Sequence, residues 1–212
     1  MTTTGAIVHT PAPAGIVYLL DDEAAVLDAI AFMLTSRGLD VRAHATGPAL
    51  LATVDAPPRP LPGVFLIDIR MEPMSGLRVH EELMARRLRN PVLFLSGHGD
   101  IPMAVEALKN GAFDFLEKPY SDNALAVRVE QALAVDATMH QRDSRAAERE
   151  ARLQSLTERE RDVMQRVAAG KLNKVIADEL HVSVRTVEVH RARAYAKLGV
   201  NSAAEVATVL SG

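Results

Sequence analysis

From about residue 15 to residue 120, short apolar runs alternate with amphipathic stretches. Ile16–Leu20, Val41–Ala43, Val64–Ile67, Val92–Leu95 and Phe113–Leu116 are near-continuous hydrophobic segments of strand length. Such runs fit strands covered on both faces. Between them, apolar spacing near 3.6 predicts helices at about 23–36, 48–54, 76–89 and 101–110. Five strand–helix units imply right-handed crossovers and an α/β, doubly wound, five-stranded parallel sheet. A sheet of this kind gathers its functional groups at the carboxyl ends of its strands.

A fifth helix starts after Ser121-Asp122, where either side chain can cap the free amides, with Leu125, Val129, Ala132 and Leu133 as its apolar stripe. Neither glycine nor proline occurs from 120 to 169, so the helix is predicted to continue from 122 to about 152 as a long connector. Its polar half alternates in sign and contains Glu148 and Arg152, a favourable pair one turn apart. The alternative is a helix ending near 135 followed by a flexible charged tether.

Beyond residue 155 the pattern predicts four short helices in a small all-α domain. Thr157–Glu160 and Ser202–Glu205 fit the reciprocal capping pattern, and Asn173 and Ser183 are expected caps for the two helices between them. Asn173–Leu180, a turn at His181-Val182-Ser183, and Val184–Leu198 read as helix–turn–helix, with Val175, Ile176, Leu180, Val182, Val187 and Leu198 as the packing positions. Such a pair serves to push its second helix into the DNA major groove. The expected organisation is a mobile tail over 1–14, an α/β domain over 15–135, a helical linker over 136–154 and the helix–turn–helix domain over 155–212.

Composition changes the picture in two places. The chain has no cysteine, which excludes disulfide scaffolds, thiolate zinc sites and cysteine nucleophiles and fits a reducing cytoplasm. No apolar run approaches the roughly 20 residues of a membrane helix. Ile16–Leu20 runs straight into two aspartates, so no signal peptide is expected. The net charge of −3 divides unevenly: residues 155–212 hold nine Lys/Arg against seven Asp/Glu, and residues 1–154 hold fifteen against twenty. An acidic front and a mildly basic back suggest different partners for the two parts.

The candidate chemistry follows from strand ends. Asp21 and Asp22 follow the first strand, Asp68 the third, Ser96 the fourth and Lys118 the fifth, so all five are expected at one rim. Three carboxylates held together repel unless a cation sits among them, and a hard dication with oxygen ligands such as Mg²⁺ suits them. An aspartate pair before a helix also serves as an N-cap, and Lys118 before Pro119 also reads as a turn residue. The order Asp-Asp, Asp, Ser, Lys at successive strand ends is what favours a shared site.

Leu19–Asp22, Leu66–Met71, Met74-Ser75-Gly76, Phe94–Gly97 and Phe115–Pro119 resemble the receiver domain of two-component response regulators over about residues 15–135. The resemblance implies that Asp68 accepts phosphate from a sensor histidine kinase. It implies Mg²⁺ held by Asp21, Asp22, Asp68 and the backbone carbonyl of Arg70, with Ser96 and Lys118 on phosphoryl oxygens and Phe115 as the swinging aromatic of the switch. The helix over 101–110 then belongs to a phosphorylation-dependent dimer surface, on which Val105 and Lys109 are the candidates. The proline usual directly after the Met71 position stands one residue later, as Glu72-Pro73.

Leu156–Glu160, Asn173-Lys174, Ile176-Ala177, Thr186–His190 and Lys197–Val200 resemble the LuxR-type output domain throughout 155–211. Together the halves resemble the NarL/FixJ family, with Arg185–Ala192 and the loop Ser96–Asp100 leaning to the FixJ side. The implied DNA contacts are Lys174 on a phosphate and Arg185, Glu188, Val189, Ala192 and Arg193 on the second helix. By analogy Val206 and Leu210 offer a dimer seam. The implied protein is a cytoplasmic transcription regulator whose partners are a kinase, promoter DNA and a second copy of itself; RNA polymerase is a further candidate. It is not an enzyme beyond its own phosphorylation and dephosphorylation. The alternative from another class is a Mg-dependent phosphohydrolase of doubly wound fold, for which no cap insertion is evident.

Overall fold

The computed structural model describes residues 15–56, 61–97 and 101–211, so the N-terminal tail and His98–Asp100 of the loop after the fourth strand lie outside the described residues. The elements run β1 (Ile16–Leu20), α1 (Ala24–Ser36), β2 (Asp40–His44), α2 (Gly47–Asp55), β3 (Val64–Asp68), α3 (Gly76–Ala85), β4 (Val92–Ser96), α4 (Ile101–Lys109), β5 (Asp114–Glu117), α5 (Asp122–Gln154), α6 (Glu158–Ala168), α7 (Asn173–Leu180), α8 (Val184–Leu198) and α9 (Ala203–Ser211). The chain divides into two compact units, Met1–His140 and Gln141–Gly212, and α5 crosses the division.

In the first unit the sheet is parallel throughout, in the order β2-β1-β3-β4-β5. The two-residue period of each strand divides its side chains between two layers. Tyr18, Leu20, Phe65, Ile67 and Phe94 pack under α2, α3 and α4; Val17, Leu19, Val64, Leu66, Leu93 and Leu95 pack under α1 and α5. β1, β3 and β4 are fully covered, which is why their sequences lack alternation; β2 is an edge strand and mostly polar. The strand order reverses at β1 and β3, so the crevice of the sheet opens between Asp21 and Asp68.

One helix stops earlier than its periodicity predicts. α3 ends at Ala85 rather than near 89 because Arg87 takes a left-handed conformation (φ 57°) and the Leu88 N–H turns back to the Leu83 carbonyl at 3.2 Å. No glycine marks that turn in the sequence. The charged stretch after Leu133 is helical through Gln154 rather than a tether.

The second unit is a four-helix core of Leu156, Val163, Met164, Val167, Ile176, Ala177, Val187, Ala194, Leu198, Val200 and Val206. The end of α5 joins it: Arg149 Nε donates to the Val209 carbonyl at 2.8 Å and Arg152 to the Leu198 carbonyl at 3.3 Å, satisfying groups at the ends of α9 and α8. α6 carries the complete capping box, Thr157 Oγ1 accepting from the Glu160 N–H and Glu160 accepting from the Thr157 N–H. At α9 half of the expected box forms, Ser202 Oγ accepting from the Glu205 N–H at 3.2 Å, while the Glu205 carboxylate accepts from the Asn201 N–H at 3.0 Å and from the Ser202 hydroxyl at 2.9 Å.

Glu160 is nearly inaccessible and also accepts from Lys197 Nζ at 2.6 Å, tying α6 to α8. Burial alone pushes its carboxyl up, but Lys197 and the Thr157 amide outweigh burial and hold it below the usual range. A lowered carboxylate stabilises the fold above its unfolded pKa, and the contribution is lost as pH falls through the folded value. Glu160→Gln is therefore expected to cost about 1–2 kcal/mol near neutrality, discounted because the lysine is partly hydrated. Denaturant midpoints of variant and parent should converge in acid; a difference independent of pH contradicts the ion pair's role.

Candidate functional site

Four of the five predicted rim residues meet at the mouth between β1, β3, β4 and β5. Asp21 and Asp68 are buried, at 1% and 6% exposure, because each directly follows or ends a fully covered strand. Lys118, carried by the turn after β5, reaches across to both: its Nζ lies 2.7 Å from Asp68 Oδ1 and 3.2 Å from Asp21 Oδ2. Two backbone amides complete the frame, Glu23 N–H donating to Asp21 Oδ1 at 2.9 Å and Arg70 N–H to Asp68 Oδ2 at 3.0 Å. Ser96 ends β4 beside this group, wholly buried, and its Oγ has no hydrogen-bond partner among the described residues. A buried hydroxyl without a partner is costly.

Burial pushes the Asp68 carboxyl up, against the pull of Lys118 and the Arg70 amide. Burial also works to lower Lys118, but the two carboxylates prevail and hold its ammonium above the usual range. Two buried carboxylates against one ammonium leave a deficit of positive charge. The donors are all oxygen, so a hard cation such as Mg²⁺ fits them.

The third carboxylate does not join the first two. Asp22 stands exposed at the rim, where Oδ2 accepts from the Glu72 N–H at 3.1 Å. Among the described residues no three acidic or imidazole side chains converge closely enough to hold a metal on their own. Two of the three expected carboxylates, Asp21 and Asp68, thus face Lys118, while Asp22 is turned to the Glu72-Pro73 turn. Asp22, Arg70, Met71, Glu72 and Met103 line an open groove of about 480 Å³ beside the mouth.

The close approach of Gly76 to the acceptor strand has a steric cause: a Cβ there would stand 2.0 Å from the Asp68 carbonyl oxygen. Phe115 is half-buried on β5, paired in register with Phe94 and packed against the core. On α4, Val105 and Lys109 are both exposed, one turn apart.

In the second unit α7, the turn and α8 form the predicted pair, with His181 in a left-handed conformation (φ 54°) closing α7. Ser183 caps α8, accepting from the Thr186 N–H at 3.0 Å. Asn173 is not a cap: Leu172 occupies that position without a side-chain bond, and Asn173 Oδ1 accepts from Arg191 at 3.1 Å. Val175 is exposed instead of packed, because Ile176 and Ala177 take the inward face of α7. Val206 is fully buried in the unit's own core, so the seam proposed there is withdrawn; Leu210 packs against the same core.

Lys174, Arg185, Glu188, Val189, Ala192 and Arg193 are all exposed. Arg185 and Glu188 lie 3.7 Å apart on adjacent turns. His190 is half-buried, and Arg191 lies over the Tyr195 ring at 5.0 Å from its centroid. Three groups escaped the sequence reading: Glu72 as a backbone partner, the Asn173–Arg191 bond, and a buried Asp136 on α5. Only the last had a signal, an acid at the next position of the apolar stripe Leu125, Val129, Ala132, Leu133.

Comparison with known proteins agrees with both domains. Residues 17–130 match the family model of the response regulator receiver domain, and residues 154–210 that of bacterial regulatory proteins of the luxR family. The transcriptional regulatory protein FixJ of Rhizobium meliloti is 43% identical over 190 residues, covering 88% of this chain and 90% of that protein. The tetrathionate response regulatory protein TtrR of Salmonella typhimurium is 43% identical over 192 residues, covering 90% and 89%. Among solved structures, response regulator StyR superposes with a TM-score of 0.85 at 35% identity over 92% of this chain and 97% of that one. The phosphohydrolase alternative finds no support in these comparisons. Among the described residues no helix is long and apolar enough to cross a membrane.

Proposed function

Because the chain belongs to the response regulators that join a receiver domain to a LuxR-type DNA-binding domain, we propose that Asp68 is the phosphoacceptor through which a sensor histidine kinase controls DNA binding. The observation that carries this reading is Lys118 Nζ at 2.7 Å from Asp68, beside the unpartnered hydroxyl of Ser96. A carboxylate oxygen of Asp68 attacks the phosphorus of a phosphohistidine. The O–P bond forms as the P–N bond breaks, and the imidazole nitrogen leaves with the electron pair and takes a proton from water. Such transfers ask chiefly for positioning and for positive charge near the equatorial oxygens, which Lys118 supplies.

Receiver domains generally bind Mg²⁺, which adds positive charge at the transferring group. In this chain Asp21, Asp68 and the Arg70 carbonyl are the residues that would hold it, with Asp22 joining them once its side chain turns from the Glu72 amide to the mouth. The aspartyl phosphate adds about −1.5 to −2 of charge and new acceptor oxygens. The Ser96 hydroxyl turns to one of them, and Phe115 follows into the space it leaves. The response passes to the face of α4, where Val105 and Lys109 meet a second copy of the chain.

Dimerisation brings two output units to adjacent half-sites, as two-fold operators require. Lys174 takes a phosphate; Arg185, Glu188, Val189, Ala192 and Arg193 face the groove from α8. Glu188 suits a cytosine amino group and Val189 a thymine methyl. This reading places the protein in the cytoplasm, with RNA polymerase as a further candidate partner and no catalysis beyond its own phosphorylation and dephosphorylation.

Mobility shifts test it, using duplex DNA selected from a random pool by the acetyl phosphate-treated chain. Treatment is expected to tighten binding about ten-fold, a typical coupling. Lys174→Ala should weaken all sequences alike and reduce the salt slope by about one. Equal binding with and without acetyl phosphate, or none in either state, overturns the reading.

A further inference from the structure

We propose that Asp136 is the positioning residue that couples the phosphoacceptor rim of the receiver sheet to helix α5; the proposal rests on the roles given to Asp68 and Ser96 above. Asp136 is 3% exposed, on the face of α5 that otherwise packs Val129, Ala132 and Leu133 against the sheet. An acid there is costly unless it is paired. It is paired at several points. Oδ2 accepts from the Gly63 N–H at 2.7 Å, Oδ1 accepts from Asn90 Nδ2 at 3.3 Å, and His140 Nε2 lies 3.4 Å from Oδ1. The Asn90 amide also donates to the Leu61 carbonyl at 2.7 Å and the Gly63 carbonyl at 2.9 Å.

The partners define what the knot holds. Gly63 immediately precedes β3, the strand that ends at Asp68. Asn90 lies just before β4, the strand that ends at Ser96. One carboxylate on α5 therefore grips the starts of the two strands whose far ends carry the acceptor and the unpartnered hydroxyl. An extended strand transmits displacement along its axis, over about 16 Å for five residues at about 3.3 Å each. A shift of Ser96 relative to Asp68 thus reaches the knot as sliding of β4 against β3. Of the two contacts that join the strand starts to α5, the looser is Asn90 to Asp136 at 3.3 Å against 2.7 Å for Gly63, so the sliding alters how α5 is held. No apolar residue at 136 would register such a movement, although it would fill the same space.

The test uses the full chain and two single variants, Asp136→Asn and Asn90→Ala. Two quantities are read: acetyl phosphate labelling of Asp68, and the gain in affinity that labelling confers for duplex DNA selected from a random pool by the treated parent. Labelling is expected within about two-fold of the parent, while the gain falls at least five-fold, the lower end of typical coupling between sites. Thr138→Ala, on an exposed position of the same helix, should keep both. Labelled variants that retain the parental gain overturn the proposal. A parallel fall in labelling and gain marks a merely structural role and also overturns it. A parent that takes no label overturns the assignment of Asp68 instead. If Asp136→Asn does not fold, Asn90→Ala decides by the same two readouts.

Discussion

Asp68→Asn should take no label from acetyl phosphate and should remain folded. The amide oxygen keeps an acceptor for Lys118 or the Arg70 amide, and the side-chain volume is unchanged, so packing around β3 is preserved. Burial already pushes the Asp68 carboxyl up, so the buried charge is not a source of stability whose loss would unfold the unit. The stability change is expected within about 1 kcal/mol, the scale of one hydrogen bond. What disappears is the nucleophile, because an amide oxygen cannot form a phosphoryl anhydride under these conditions. Intact mass after treatment reads the result directly. A phosphoryl adduct on folded Asp68→Asn would mean that another side chain is the acceptor, and the arrangement around Lys118 would need a different purpose.

The second large effect is structural. Gly63 has φ +126°, and a Cβ built there would stand 2.0 Å from the Ile16 carbonyl oxygen. Gly63→Ala combines a backbone region closed to side chains with a collision against the start of β1. Neither neighbour can yield, because Ile16 pairs within the sheet and the Gly63 N–H is held by Asp136. The expected cost is about 3 kcal/mol or more for the receiver unit. Gly38→Ala is the comparison: its φ is +84°, but nothing lies within 4 Å of an added Cβ. Strain alone there should cost about 1 kcal/mol. Urea midpoints for the two variants measure the difference, and equal midpoints would contradict the close approach at Gly63.

Much of this architecture was legible in the chain because covered strands leave a plain trace. Val64–Ile67 and Val92–Leu95 are unbroken apolar runs, and their observed strands extend each by one polar residue, Asp68 and Ser96. Those extensions carry the proposed chemistry, so locating the strand ends located the candidate site. The orientation of Asp22 was not legible because it depends on a backbone amide in the Glu72 turn, which no side-chain pattern encodes. The end of α3 was missed for a related reason: Arg87 adopts the left-handed conformation normally signalled by glycine. In short helices, an apolar residue facing the core and one facing a partner look alike. Val206 and Val175 were each assigned to the wrong side for that reason, and only tertiary packing separates them. Asn173 carries the ordinary composition of a cap, yet Arg191 from α8 claims its oxygen.

The two arginines near the end of α5 bear on how the modules can be exchanged. Arg149 and Arg152 complete the carbonyl ends of α9 and α8. Transplanting the output module onto a different sensor therefore means carrying residues 141–154 with it as part of the graft. A splice at residue 155 would sever those helices from side chains that belong, by sequence, to the linker.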